Sequence, residues 1–193
     1  MKTWLFNPFK FIAGNKALII GLEAMLITAV VCFLEKCHLD GVIDVHLGKE
    51  TPPYLYFAEP LIDWLCLVLP LYIFGRFFSV SSIRFIDVAG TSALARYPMF
   101  FVVLASILFP RHITDPQSFV HALQNDPGLM MRIVIMSLLI VPFIVWTVAL
   151  MYNAYSISTN LKGSKAIWSF IGSFIIAEIL SKVIIYLLIK FQA

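Results

Sequence analysis

Between Ala17 and Leu34 the chain carries a single charged side chain, Glu23. That run is about as long as a helix needs to cross the hydrocarbon core of a bilayer. Four further runs share its character, at about 61–78, 88–109, 129–152 and 166–189. A backbone buried in lipid must satisfy its own hydrogen bonds, so runs of this length fold as helices. The sequence therefore predicts an all-α polytopic membrane bundle of five transmembrane helices. Composition agrees, with 61% hydrophobic and 13% charged residues, where soluble domains run near a quarter charged. No soluble domain of useful size fits beside five spans, so residues 1–193 read as one integral membrane domain.

The third run organises the rest. Arg84–Phe109 begins with Arg84, Asp87 and Arg96 among small residues and ends almost wholly apolar, with Tyr97-Pro98 at the join. A lipid-facing span does not welcome those charges, so this end is expected to face protein. Residues 1–16 set Trp4, Phe6, Phe9 and Phe11 between lysines and read as a basic, aromatic interfacial segment. The apolar run that follows is long for a signal peptide and lacks a small-residue cleavage site, so it reads as a first span. The first loop is expected at 35–53 and a partly helical second loop at 111–128, around Ser118–Gln124. A third follows at 153–165. Asp126-Pro127 offers a start for span four, and Pro142 a kink within it. Five spans put the termini on opposite sides. With the N-terminus inside, eight cations face the cytoplasm (Lys2, Lys10, Lys16, Arg76, Arg84, Arg96, Lys162, Lys165) against five outside. The excess of Lys and Arg favours N-in/C-out.

Ionisable groups inside spans are costly and mark function or a buried partner. Five stand out: Glu23, Asp63, Arg96, Glu178 and Lys182. At about 1.5 Å per residue, Glu23 and Arg96 lie at similar depth from the cytoplasmic side and are expected to pair. Asp63 and Lys182 enter from the other side, and Glu178 and Lys182 share a helix face. These groups read either as an ion path or as pairs that fix helix register; matched cations and anions favour register. Ser169, Ser173, Ala177 and Ser181 repeat every four residues, as do Ala17, Gly21 and, offset, Ala24 and Thr28, and such stripes suit close helix packing. In the first loop, His38, Asp40, Asp44 and His46 are weak candidates for a metal, since imidazole plus carboxylate suits zinc or manganese. Val42, Ile43, Val45 and Leu47 read as a loop pinned on the membrane surface, and His112 and His121 as plain loop residues. Cys32, Cys37 and Cys66 form no CxxC and are expected as free thiols. No zinc-protease, nucleophile-elbow, P-loop or dinucleotide motif is present, and no cofactor is expected.

Two stretches carry a resemblance. Arg84-Phe85-Ile86-Asp87-Val88-Ala89-Gly90 leading to Ala95-Arg96-Tyr97-Pro98, and Trp146-Thr147-Val148-Ala149-Leu150 followed by Ser164-Lys165-Ala166, look like the Yip1-domain family of five-span membrane proteins. The Asn7-Pro8-Phe9 start resembles bacterial members. The resemblance implies a helical bundle without assigned biochemical activity, in a bacterial cytoplasmic membrane. Eukaryotic relatives act in vesicle trafficking and bind small GTPases. This chain lacks their long N-terminal region and Asp-Leu-x-Gly-Pro motif, so GTPase binding does not carry over. The expectation is a non-enzymatic scaffold or partner-binding protein, whose cytoplasmic face (Arg76, Arg84, Lys162, Lys165) meets anionic lipid or an acidic partner. The alternative is a small transporter or channel with Glu178 and Lys182 as its coupling pair. Expected partners are the bilayer, other membrane or membrane-associated proteins, and a second copy in a homo-oligomer; no nucleic-acid partner is expected.

Overall fold

A computed structural model describes residues 2–47, 51–106 and 116–190. A short helix α1 (Lys2–Phe6) and a 3-10 turn (Pro8–Lys10) lead into α2 (Gly14–Glu35). A two-stranded ribbon, β1 (Cys37–His38) with β2 (His46–Leu47), closes the first loop. Then follow α3 (Leu55–Phe78), α4 (Phe85–Leu94), α5 (Met99–Ser106), α6 (Pro116–Asn125), α7 (Leu129–Thr159) and α8 (Gly163–Lys190). Among the described residues, five segments are long and apolar enough to cross a membrane, with α4 and α5 together forming the third. The expected all-α membrane bundle is the fold. Expectations for Ile107–Pro110, Arg111, His112 and Asp115 fall outside the described residues.

The third span is the axle of the bundle. In its most apolar window 78% of residues are buried, against 11–39% for the other four. Small residues make that possible. A Cβ on Gly21 of α2 would lie 2.4 Å from the Leu94 nitrogen, and one on Gly90 would lie 2.4 Å from the Gly14 carbonyl oxygen. The backbones of α2 and α4 therefore touch at two levels, the close approach that small residues allow in membranes. On the other side, the Tyr97 ring meets Trp146 of α7 edge-on at 5.2 Å, and the Trp64 indole of α3 donates to the Ala89 carbonyl at 3.0 Å. The stripe Ser169, Ser173, Ala177 and Ser181 is wholly buried and seats α8 against α3, where the Ser173 hydroxyl reaches the Pro70 carbonyl.

Where the chain departs from expectation, the cause is local. The third span breaks at Ala95–Pro98, held by tight three-residue turns from Arg96 to Ala93, Tyr97 to Leu94 and Met99 to Arg96. Pro98 has no N–H to continue the ladder, and irregular backbone is tolerated at this depth because protein surrounds it. Span four runs to Thr159, shrinking the third loop to three residues, because Asn160 takes the left-handed conformation (φ 56) that ends the helix. Its start is fixed by Asp126, whose side chain accepts the Gly128 N–H at 2.9 Å and whose carbonyl accepts that of Leu129. α1 and the 3-10 turn lie on α7: the Trp146 indole donates to the Leu5 carbonyl, and the Asn153 amide to that of Phe6.

Candidate functional site

The first loop enters the bundle. Val42, expected at the membrane surface, is 0% exposed, and Leu39 is buried beside it. Backbone polar groups taken out of water need partners, and ionised side chains supply them. Arg96, itself 2% exposed, donates from Nη1 to the Val42 carbonyl at 3.0 Å and from Nη2 to Asp63 Oδ2 at 3.3 Å. Glu178 Oε2 accepts the Val42 N–H at 2.9 Å. Glu59, 1% exposed, accepts the Leu39 N–H at 3.2 Å and bonds His38 Nδ1 at 2.8 Å. Gly41 lets the loop in this far, since a Cβ there would sit 2.6 Å from Glu178 Oε1.

Lys182 closes the arrangement. Its ammonium lies 2.6 Å from Asp44 Oδ2 and 3.6 Å from Glu178 Oε1, so the pair expected one turn apart on α8 is formed and also holds the loop. Burial would raise the Asp44 carboxyl, but the Lys182 hydrogen bond and charge, with His46 and the Val45 N–H, outweigh it and hold that group below its ordinary value. His38 stacks on Tyr56 (centroids 4.4 Å) and meets the Thr51 hydroxyl through Nε2 at 3.2 Å. His46, directly opposite His38 across the ribbon, bonds Asp40 through Nδ1 at 2.6 Å.

The expected Glu23–Arg96 pair does not form. Glu23 lies on the exposed face of α2, while Arg96 turns to Asp63 of α3. Depth matched the first two residues, but direction around the helix decided the partner. The four metal candidates also divide. Ligand atoms of Asp40, Asp44 and His46 lie within 4.8 Å of one another, whereas His38 points to Glu59. Of the three, Asp40 and His46 hold each other and Asp44 holds Lys182, so each of these groups already has a partner within the chain. Glu59 is a residue of this network that the sequence analysis does not single out. Its signal was the spacing Glu59-x-x-x-Asp63, which sets both carboxylates on one buried face of α3. Asp63 Oδ1 is buried without a hydrogen-bond partner among the described residues.

A cavity of about 690 Å³ opens beside this network. The first loop offers His38, Asp40 and His46 and α3 offers Glu59, while the α8 side offers Ile185, Tyr186 and Ile189 with Lys182 and Lys190. Neither Asp63 nor Arg96 lines it, so the buried ion pair lies behind its wall.

The far end of the bundle presents the other predicted group. The Ser79 hydroxyl donates to the Thr159 carbonyl at 2.7 Å and the Asn160 amide to the Ser81 hydroxyl at 3.2 Å, which ties the α3–α4 turn to the α7–α8 turn. Arg76, Lys162 and Lys165 are exposed at this end, with Phe77, Val80 and Trp168 exposed among them. Arg84 is also exposed but is held in a two-point bond to Asp87, at 2.7 and 3.0 Å, which raises its pKa. The three cysteines are free and buried; the left-handed turn at Lys36 folds Cys37 back beside Cys32.

No family model, curated protein or solved structure matches the chain.

Proposed function

We propose that this protein is a Yip1-like membrane scaffold of a bacterial cytoplasmic membrane, placed N-in/C-out, that binds a partner without catalysis. One observation carries the reading: Arg96 and Lys182 are bonded to carboxylates of the chain itself, while Arg76, Lys162 and Lys165 stand exposed around one tied pair of turns. Arg96 is fastened to Asp63 and Val42, and Lys182 to Asp44 and Glu178. A surface that mixes cations with bulky apolar side chains suits the anionic leaflet and acidic segments lying on it. The two stretches that resemble the Yip1-domain family pack against each other through Tyr97 and Trp146, which fits a shared structural role.

The test is affinity purification from native membranes after brief cross-linking, comparing the native protein with Arg76→Glu/Lys162→Glu. A stoichiometric partner retained by the first and lost by the second is expected. Recovery of the same set from both refutes the reading.

A transport reading has its own observation. The third span is discontinuous at Arg96, and beside it Asp63 Oδ1 has no hydrogen-bond partner among the described residues; broken helices with buried ions form substrate sites in transporters. Ion flux into liposomes that disappears with Asp63→Asn would select this reading over the first.

A further inference from the structure

The cavity beside the first loop holds a second message, in which of its polar groups are already engaged. Its two carboxylates are committed: Glu59 to His38 and the Leu39 N–H, and Asp40 to His46. Lys182 is committed to Asp44 and Glu178. Left over are the Tyr186 hydroxyl and the Lys190 ammonium, neither of which has a hydrogen-bond or ionic partner among the described residues. They stand four residues apart on α8, hence one above the other on one face. Both are donors toward an anion, and Lys190 is the unneutralised cation of the two. Beside them Ile185 and Ile189 give the same wall an apolar row, with Leu47 of the ribbon across the space. Tyr186 and Lys190 are exposed, so the cavity is reached from outside the bundle.

We propose that this cavity binds an anionic amphiphile, specifically an acidic membrane lipid. The head group takes Lys190 and Tyr186, and an acyl chain lies along Ile185 and Ile189. The volume of about 690 Å³ falls within the range of cavities that enclose small-molecule ligands, which are lined mainly by apolar side chains with a few placed polar groups. The last turn of a membrane helix is where a Lys side chain and a Tyr hydroxyl meet head groups. This site is at the opposite end of the bundle from Arg76 and Lys162, and it stands or falls independently of the scaffold reading.

The test is native mass spectrometry of the full chain in a neutral maltoside detergent, titrated with phosphatidylglycerol, phosphatidylethanolamine, diacylglycerol or inorganic phosphate. Expected is retention of phosphatidylglycerol at least about tenfold above diacylglycerol, the size of one charge-assisted hydrogen bond, and no retention of inorganic phosphate. Lys190→Gln with Tyr186→Phe, both at exposed positions, should remove the preference and leave folding intact. Ile189→Trp, at a half-buried position, should obstruct the apolar row and weaken acyl binding while both donors remain. Arg132→Gln, at an exposed cation of α7 that does not line the cavity, should change nothing. Equal retention of the acidic and uncharged lipids overturns the proposal, as does an unaltered preference in the Lys190/Tyr186 variant. Retention of inorganic phosphate alone, or an equal loss in Arg132→Gln, would also overturn it.

Discussion

Replacing Arg96 with Met should be among the most damaging single changes in the chain. The guanidinium is 2% exposed and serves two buried groups at once, the Asp63 carboxylate and the Val42 carbonyl. Removing one member of a buried ion pair strands the other and costs about 3–5 kcal/mol. At roughly 2–4 °C per kcal/mol for a chain of this size, thermal unfolding should move down by about 6–20 °C. Unfolding in detergent can be followed by the fluorescence of Trp64, whose indole is bonded to Ala89 in the same core. The decisive variant is the double, Arg96→Met with Asp63→Asn. It removes the stranded charge and leaves only the Val42 carbonyl without its donor, a loss of about 1–3 kcal/mol. The double should therefore be no worse than Arg96→Met alone, and the two single effects should fall short of adding by about 2 kcal/mol or more. Simple additivity would refute the pairing. Arg96→Met with Glu23→Gln, by contrast, should be additive, because Glu23 faces outward from α2.

Three further outcomes follow from the same contacts. Because the Asp44 carboxyl is held below its ordinary value, its bond to Lys182 stabilises the docked loop fully above about pH 4. That contribution is lost as pH falls through the lower folded value. Hydrogen exchange of residues 39–45, corrected for intrinsic rates, should show protection falling only in that acid range, and Asp44→Asn should abolish the dependence. Glu59→Gln should weaken the anchor of His38 and Leu39 by about 1–3 kcal/mol, read as faster exchange at Leu39 with the α2–α4 contact unchanged. Gly90→Ala should force α2 and α4 apart, because its new methyl would lie 2.4 Å from a backbone oxygen. A loss of about 1–3 kcal/mol or more is expected, seen as a lower unfolding temperature, whereas Gly163→Ala meets no atom within 4 Å and should cost only its left-handed backbone.

The spans were legible because run length and backbone satisfaction leave lipid-buried segments little choice of structure. Pro98 and the Ser169–Ser181 stripe were legible for the same reason: each acts through its own backbone or its own helix face. The Arg96 partner was misread because residue counting gives height in the membrane and not direction around the axis. The correction was within reach of the sequence. Glu23 lies two residues from both Gly21 and Met25, which are buried, and so on the opposite side of α2. Entry of Val42 into the bundle was not legible, since it depends on Arg96, Glu178 and Gly41 meeting across separations as long as 136 residues.

Those separations order the birth of the protein. A chain inserted from its N-terminus delivers Val42 first, Asp63 and Arg96 later, and Glu178 and Lys182 near the end. Until α8 arrives, the Val42 N–H lacks its acceptor and Asp44 lacks its ammonium. The loop that emerges first is thus fastened last, and a ribosome stalled before Gly163 leaves a membrane protein with its first hairpin unlatched. Such an intermediate leaves Val42 and Asp44 without their α8 partners while Leu39 is already seated against α2, α3 and α5, an unfinished surface of the kind that chaperones bind. The arrival of α8 is recorded in the first loop.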